Sequence, residues 1–488
     1  MRECFYASLL RAFAHRVRSY RWRRKIFRMN APVGPPMRLA ELAARRVAVW
    51  GFGREGRAVI AALRARLPQL PLTLLCSPAE VASARVFDAA LQVIAGEPDA
   101  ATLGGFDVVV KSPGISAYTP ALLAAQAQGT RFTSGTALWF AEHPQARVIA
   151  VTGTKGKSTT SAMLAHLARS LGVRTALAGN IGLPLLELLD DRADLWVIEL
   201  SSFQTGEAGP LELGVITSLY EEHLDWHGSR ERYVGDKLKL ADVAQQLLVN
   251  ALQPALLERT QAHPQRRLFG QPEGWHVSEG FIRRGAQPVF PITQLAAPGL
   301  HNALNACAAL AALADVGMDA LAAAPALASF RPLPHRLQPL GERDGWHWIN
   351  DSISTTPLAT LAALQSLHGR AVTVLVGGHE RGLDWTPFVD AMRTAPPNAI
   401  VCMGANGPRI EAALRAVAVE CPVVRGADLS AAITAARART PCGGVILLSP
   451  GAPSFDQFKD YAERGRRFAE LAGFDVSTST SIEGLGAG

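Results

Sequence analysis

The sequence predicts an α/β protein of three domains: a Rossmann-like N-terminal unit, a central phosphate-loop (P-loop) unit and a Rossmann-like C-terminal unit. Three observations carry this. The chain has 488 residues, too many for one ordinary core. Short apolar runs ending in Gly, Ser or Pro alternate with helical patterns along most of its length. Two glycine turns, "GFGREG" at 51–56 and "GTKGKS" at 153–158, each follow such a run and open a helix.

From Arg46, "RVAVWGFGREGRAVIAALRARL" reads as a buried strand, a glycine turn and an amphipathic helix, the start of a βαβ unit. Further strands are expected at 72–76 and 106–110, so the first domain spans 38–145. The second, 146–332, opens on "RVIAVTGTKGKSTTSAMLAHLARSLG" and continues with strands near 195–200 and 213–219 and a helix in "HNALNACAALAALADVG". Two prolines in "ASFRPLPHR" mark a linker near 330–335. The third domain, 333–476, holds strands at 372–378, 398–404 and 444–451 that each end in Gly or Pro, where open α/β sheets bind ligands. Residues 477–488, "STSTSIEGLGAG", read as a weakly ordered tail.

The net charge of +7 invites a nucleic-acid reading, but much of the excess lies in the first 28 residues, which include "RAFAHRVRSYRWRRKIFR". Residues 1–37 therefore read as a basic, disordered extension: an arm for anionic lipid or RNA, a solvated tail, or sequence upstream of a start at Met29 or Met37. The bland readings are preferred, and no nucleic-acid partner is expected. No apolar run reaches the roughly 18 residues of a membrane span. The six cysteines (Cys4, Cys76, Cys307, Cys402, Cys421, Cys442) show no C-x-x-C spacing, against a zinc site or disulfide framework and in favour of a reducing cytoplasm.

In "VTGTKGKST", Gly153 and Gly156 would let the backbone approach an anion, Lys157 would reach the terminal phosphates, and Ser158 or Thr159 would hold Mg²⁺. The G-x-x-G-K-S spacing is shorter than the common phosphate-loop pattern. "GFGREG" matches a dinucleotide turn, yet the acid expected at the tip of the next strand is replaced by Cys76 and Ser77, which weakens a nicotinamide oxidoreductase. Two more strands deliver polar groups at their ends: Glu199, Ser201 and Gln204 in one, Glu222, His223 and Asp225 in the other. A carboxylate and an imidazole beside a phosphate loop suit a divalent cation.

"VTGTKGKST", "GNIGLP", "ELSSFQT", "EEHLDWHG", "GLHNALNA", "PHR", "NDSISTTP" and "SPGAPSFDQF" occur in an order that resembles the Mur ligases, the ATP-dependent amino-acid ligases of peptidoglycan precursor synthesis. The resemblance implies a UDP-binding domain, a central ATPase domain and a C-terminal domain that closes the site. It also implies that ATP converts a carboxylate to an acyl phosphate, which an amine then attacks. Gly153, Thr154, Lys155, Gly156, Lys157, Ser158 and Thr159 would hold ATP, with Asn302 and Asn305 near adenine and Arg336 and Asp351 at the nucleotide. Two Mg²⁺ ions would be held by Ser158 or Thr159, Glu199, His223 and a carbamylated Lys237. Arg54, Glu55, Ser112 and Gly114 would line the UDP pocket, and Asn180, Ser201 and Gln204 would face the same substrate.

The last motif resembles the MurD branch, which adds glutamate to UDP-N-acetylmuramoyl-L-alanine; Thr355, Arg381, Ser454, Phe455 and Tyr461 match its glutamate pocket. The usual "NDSKAT" reads "NDSIST", so a cation becomes Ile353, and a common Lys becomes Arg381. Losing one cation and reshaping another bears on how two carboxylates are oriented. These departures, with "GTALWFAEH", are most similar to the branch that adds L-glutamate and leaves a separate epimerase to invert it. The D-glutamate ligase is the alternative, and a folylpolyglutamate synthase a more distant one. The resemblance implies a monomer.

Overall fold

The computed structural model describes residues 36–181, 183–220, 229–297, 299–331, 333–380, 382–475 and 486–487. The first sheet is parallel, with strand order β3-β2-β1-β4-β5: β1 (Val47–Trp50), β2 (Leu72–Cys76), β3 (Gln92–Ala95), β4 (Val108–Lys111) and β5 (Arg131–Thr133). Strands β1, β2 and β4 are buried along their whole length, which is why their sequences run apolar without alternation. The strand order reverses beside β1, so the turn at 51–56 sits at a switch point where such sheets take ligands.

The second sheet carries seven strands in the order β11-β10-β9-β6-β8-β7-β21. These are β6 (Val148–Thr152), β7 (Thr175–Gly179), β8 (Leu195–Glu199), β9 (Leu211–Ile216), β10 (Ala244–Asn250), β11 (Arg266–Phe269) and the two-residue β21 (Gly486–Ala487). All pair in parallel except β21, which runs antiparallel to β7. A separate antiparallel meander, β12 (Trp275–Ser278), β13 (Phe281–Arg284) and β14 (Gln287–Pro291), has no counterpart in the sequence reading.

The third sheet has the order β15-β16-β20-β17-β18-β19, from β15 (Gln338–Arg343), β16 (Trp346–Asn350), β17 (Val372–Val376), β18 (Ala399–Cys402), β19 (Val423–Arg425) and β20 (Val445–Leu448). Only its edge strand β15 is antiparallel.

A continuous apolar cluster joins the first two sheets, running from Val47 and Leu63 through Trp139 to Trp196 and Leu247. Trp139 is fully buried, with Trp196 edge-on at 4.7 Å and the His143 ring stacked at 4.4 Å. Truncating it to Ala would cost about 3–5 kcal/mol. The segment leading into β15 is constrained as well: His335 and Leu337 hold positive φ of 61° and 44°, a conformation that costs about 1–3 kcal/mol per residue outside glycine. Among the described residues no helix is long and apolar enough to cross a membrane.

Candidate functional site

Strand β6 ends at Thr152 and the chain turns through Gly153 (φ 147°) and Gly156 (φ 86°) into the helix Lys157–Ser170. A methyl group on Gly153 would stand 2.1 Å from Thr217 Oγ1, and one on Gly156 2.5 Å from Asn305 Oδ1. Both glycines are thus required by their conformation and by close neighbours. Hydrogen bonds fix the loop from the side. Thr154 N donates to the Ser218 carbonyl at 2.9 Å, Lys155 N to Ser218 Oγ at 2.8 Å, and Thr217 Oγ1 to the Lys155 carbonyl at 2.6 Å. Lys157 Nζ folds back on the Thr154 carbonyl at 3.2 Å. A glycine turn at a helix N-terminus suits an anion, because the helix dipole favours negative charge there.

Neighbouring strand ends converge on the same turn. Glu199 closes β8 opposite Val151 and Gly179 and is fully buried. Its Oε1 accepts from Asn180 Nδ2 at 2.8 Å, while Oε2 is buried without a hydrogen-bond partner among the described residues. Buried carboxylate oxygens are normally satisfied, so this one is where a cation or donor fits. Lys237, in the helix Arg230–Val243, is 2% exposed and donates from Nζ to the Gly153 carbonyl at 3.1 Å. Its ammonium lies 5.1 Å from the Tyr233 ring, whose hydroxyl meets Thr154 Oγ1 at 2.8 Å. Asn305 Nδ2 donates to Asn302 Oδ1 at 3.2 Å on the helix Leu300–Asp315, and Arg336 Nη2 reaches Ser158 Oγ at 3.4 Å. Thr159 is buried one residue further along. His223 lies outside the described residues, as do Glu222 and Asp225.

At the first sheet, Gly51 (φ 99°) and Gly56 let the helix Arg54–Arg66 pack on the turn: a methyl on Gly56 would stand 1.9 Å from the Gly51 carbonyl oxygen. Ser112 follows β4, and its buried Oγ has no hydrogen-bond partner among the described residues. It faces the same turn, since a methyl on Gly51 would come within 2.8 Å of it. Beside the turn lies a cavity of about 300 Å³ lined in part by Trp50, Cys76, Ser77, Glu80 and Ile115. Arg54 and Gly114 are exposed. Glu55 is pushed up to about 7, first by burial and then by the negative Glu207, with Arg54 opposing. Glu207 is itself engaged by Lys111 at 3.4 Å and by the Ser134 hydroxyl at 2.6 Å. Gln204, 2% exposed, accepts from Ser201 Oγ at 2.8 Å and donates to Thr136 Oγ1 at 3.2 Å, bridging the first two units.

In the third unit Asp351 is 3% exposed and holds three segments together. It accepts from Leu337 N at 3.0 Å, Ser354 Oγ at 2.5 Å and Ser449 Oγ at 2.8 Å. Burial pushes its pKa up to about 6 against those hydrogen bonds. Thr355 is half-buried just beyond, and Ser454 is buried. Phe455 and Tyr461 present 65% and 39% of their surface, large for aromatics and suited to a ligand face. Partial burial raises the Tyr461 phenol, with smaller effects from the charges of Arg336, Asp460, Glu199 and Arg54. Arg381 lies outside the described residues.

The sequence reading did not single out Arg464, Lys111, Glu207, Tyr118 or Asp236. Arg464 is 1% exposed and donates to the carbonyls of Ser352 (2.8 Å), Ala452 (3.0 Å) and Pro453 (3.2 Å), and so ties the two loops of the expected glutamate pocket together. It sits in "YAERGRR", three basic residues in seven, and nothing in that run marks one of them as buried. Glu80 was also passed over: its carboxylate folds back on Ser77 N (3.0 Å) and Oγ (2.7 Å), bringing an acid to the tip of β2 where the linear spacing showed none.

Comparison with known proteins fits this geometry. Residues 151–313 match the Mur ligase middle domain, and residues 335–451 match the Mur ligase, glutamate ligase domain. The UDP-N-acetylmuramoyl-L-alanine--L-glutamate ligase of Xanthomonas axonopodis pv. citri (strain 306) is 52% identical over 469 residues, covering 92% of this chain and 100% of that protein. A protein of the same name from Micromonospora sp. is 40% identical over 454 residues, covering 89% and 98%. Among solved structures, the UDP-N-acetylmuramate-alanine ligase MurC of Thermotoga maritima shares the fold with TM-score 0.56 at 19% identity, covering 87% of this chain and 98% of that one. MurF ligase from Thermotoga maritima, solved in complex with ADP, gives TM-score 0.55 at 16% identity over 87% and 93%. The three-unit α/β fold, the two matched domains and the near-complete alignment with these relatives place the chain in the Mur ligase family.

Proposed function

We propose that this chain is an ATP-dependent ligase that joins L-glutamate to UDP-N-acetylmuramoyl-L-alanine in peptidoglycan precursor synthesis. The observation that carries the reading is the convergence of the glycine turn, Lys157, Lys237 and the unpartnered Glu199 oxygen at the ends of β6 and β8. Relatives named for this reaction match the chain over nearly its full length. Their names favour the L isomer over the D-glutamate alternative. The five-stranded first sheet, with its glycine turn and cavity, supports a UDP-linked substrate over a folate.

A carboxylate is a poor acyl donor, so the alanyl carboxylate oxygen first takes the γ-phosphoryl group. An O–P bond forms, the β,γ-bridge breaks and ADP leaves. The glutamate amine then attacks the acyl carbon, loses its proton, and the C–O bond to phosphate breaks. Charge grows on phosphoryl oxygens and then on the oxyanion, so fixed cations and amides supply much of the stabilisation. Lys157 and the amides of 153–158 bind the phosphates, Asn302 and Asn305 the base, and Arg336 and Asp351 the rest of the nucleotide. Arg54, Glu55, Ser112, Gly114, Asn180, Ser201 and Gln204 orient the UDP-substrate. Thr355, Arg381, Ser454, Phe455 and Tyr461 take glutamate.

Ser158, Thr159 and Glu199 offer the hydroxyl and carboxylate oxygens that magnesium prefers, and the lone buried oxygen of Glu199 fits such an ion. His223 and a carbamylated Lys237 would serve a second. Bound magnesium would neutralise phosphoryl charge. The reading carries with it a cytoplasmic monomer whose product goes to an epimerase that inverts the terminal glutamate.

The deciding assay supplies UDP-N-acetylmuramoyl-L-alanine, Mg·ATP and either pure L- or pure D-glutamate, and follows phosphate release and amide formation. Faster turnover with L-glutamate is expected. Preference for the D isomer reverses the stereochemical assignment, and no phosphate release with either isomer overturns the ligase.

A further inference from the structure

Tyr118 and Asp236 belong to no motif and make one of the tightest polar contacts between the first two units. Tyr118 lies near the end of the 112–119 loop, whose first residue, Ser112, turns a hydroxyl with no partner among the described residues toward the glycine turn of the first sheet. Its phenol donates across both carboxylate oxygens of Asp236, at 2.6 and 2.8 Å. Asp236 is 5% exposed and also holds Lys239 Nζ at 2.7 Å. Its backbone carbonyl accepts from Thr205 Oγ1 at 2.6 Å, and Thr205 belongs to the segment that carries Ser201 and Gln204. The Arg232 guanidinium lies over the Tyr118 ring at 5.0 Å, and burial with the Asp236 charge holds the phenol in its protonated, donating form.

The next residue after Asp236 is Lys237, whose Nζ caps the Gly153 carbonyl in the phosphate loop. The Tyr118–Asp236 contact thus links the loop expected to meet the UDP-substrate to the neighbour of the lysine that meets the nucleotide turn. We propose that Tyr118 is a positioning residue: through Asp236 it latches the 112–119 loop to Lys237, so that occupancy of the UDP-substrate site and of the nucleotide site favour one another. This rests on the ligase reading above. Whichever ligand docks first sets both ends of the latch, and the second meets a site already in register; the effect must be the same in both directions.

A hydrogen bond to a charged, buried carboxylate is worth roughly tenfold or more in an equilibrium. The test measures the affinity of Mg·β,γ-methylene-ATP by calorimetry with and without saturating UDP-N-acetylmuramoyl-L-alanine, and the reverse, in full-length wild-type protein and in Tyr118→Phe. Wild type is expected to bind the analogue about tenfold more tightly when the UDP-substrate is present, and Tyr118→Phe less than twofold more tightly, with the same factors in the reverse titration. A variant that loses affinity for each ligand alone yet keeps the full enhancement marks a purely structural tyrosine and overturns the latch. So does a wild type that turns over but shows no enhancement. A wild type that turns over with neither glutamate isomer strikes the functional reading itself, a separate outcome.

Discussion

Replacing Glu199 by Gln removes one negative charge from a fully buried position while leaving its shape. The amide oxygen can still accept from Asn180 Nδ2, now 2.8 Å from Oε1. What changes is the other oxygen, which is buried with no partner among the described residues. An unsatisfied buried polar atom costs about 1–3 kcal/mol, and a charged one more than a neutral one. Without ligand, Glu199→Gln should therefore be at least as stable as wild type and up to about 1–3 kcal/mol more so. With Mg·nucleotide present the order inverts. At a concentration about a hundredfold over Kd, ligand adds about 2.7 kcal/mol to wild type, and a variant without the carboxylate forfeits most of it. Thermal melts with and without MgCl₂ and β,γ-methylene-ATP read both signs in one experiment, and phosphate release should fall at least about a hundredfold. Should the variant melt lower when ligand-free and rise by the same increment as wild type with ligand, Glu199 is a structural acceptor for Asn180 and the cation site is misplaced.

Three further perturbations bear on other parts of the cleft. Gly156→Ala forces a side chain into φ 86° and to within 2.5 Å of Asn305 Oδ1; a strain of about 1–2 kcal/mol should appear as roughly five- to thirtyfold weaker ATP-analogue binding in titration. Glu55 titrates at about 7 folded against a reference of 4.5, so at about 1.36 kcal/mol per pH unit its ionisation costs the fold about 3 kcal/mol. An acid with a raised folded pKa favours folding below 4.5 and loses that contribution as pH climbs to about 7, so urea midpoints between pH 5 and 8 should fall more in wild type than in Glu55→Gln. Arg464→Lys cannot span the carbonyls of Ser352, Ala452 and Pro453 from one ammonium, and steady-state kinetics should show the glutamate KM up about tenfold with the ATP KM little changed.

Much of this cleft was legible because its residues act locally. A glycine turn between an apolar strand and a helix can be read within twelve residues, and Gly153, Gly156 and Lys157 stand where that pattern puts them. The buried parallel strands were equally plain, since a strand covered on both faces spells a continuous apolar run. The meander β12–β14 was not, because its strands are four or five residues long and only partly buried, so neither a run nor an alternation emerges. Long-range polar partners were hidden for a different reason. Tyr118 and Asp236 are 118 positions apart, and Arg464 and Ser352 are 112 apart. Each reads alone as an ordinary surface residue, and only the topology makes a pair of them.

Unmet hydrogen-bonding capacity separates ligand sites from packing only when it is weighed with position. Trp139 Nε1 is also buried without a partner among the described residues, yet it lies between Phe140 and Trp196 inside an apolar cluster and argues for nothing beyond tight packing. Glu199 Oε2 and Ser112 Oγ differ in one respect. Each stands at the C-terminal end of a parallel strand, beside a glycine turn: Gly153 and Gly156 hold positive φ in one and Gly51 in the other, and none of the three has room for a side chain. Some buried hydroxyls away from such turns are satisfied, as where Thr360 donates to the Ser449 carbonyl at 3.0 Å and Ser449 to Asp351 at 2.8 Å, while those of Thr160, Ser161 and Thr356 have no partner among the described residues. Glu199 and Ser112 are marked out less by lacking a partner, which other buried groups share, than by lacking one at a strand end beside a glycine turn, the polarity of a site built for phosphorylated ligands in both places. If so, inorganic pyrophosphate should compete at each: against the ATP analogue at the 153–158 turn and against the UDP-substrate at the 51–56 turn. Competition at the first alone would mean that Ser112 is an orphan of packing like Trp139, and that the first sheet holds its substrate by the sugar or base instead.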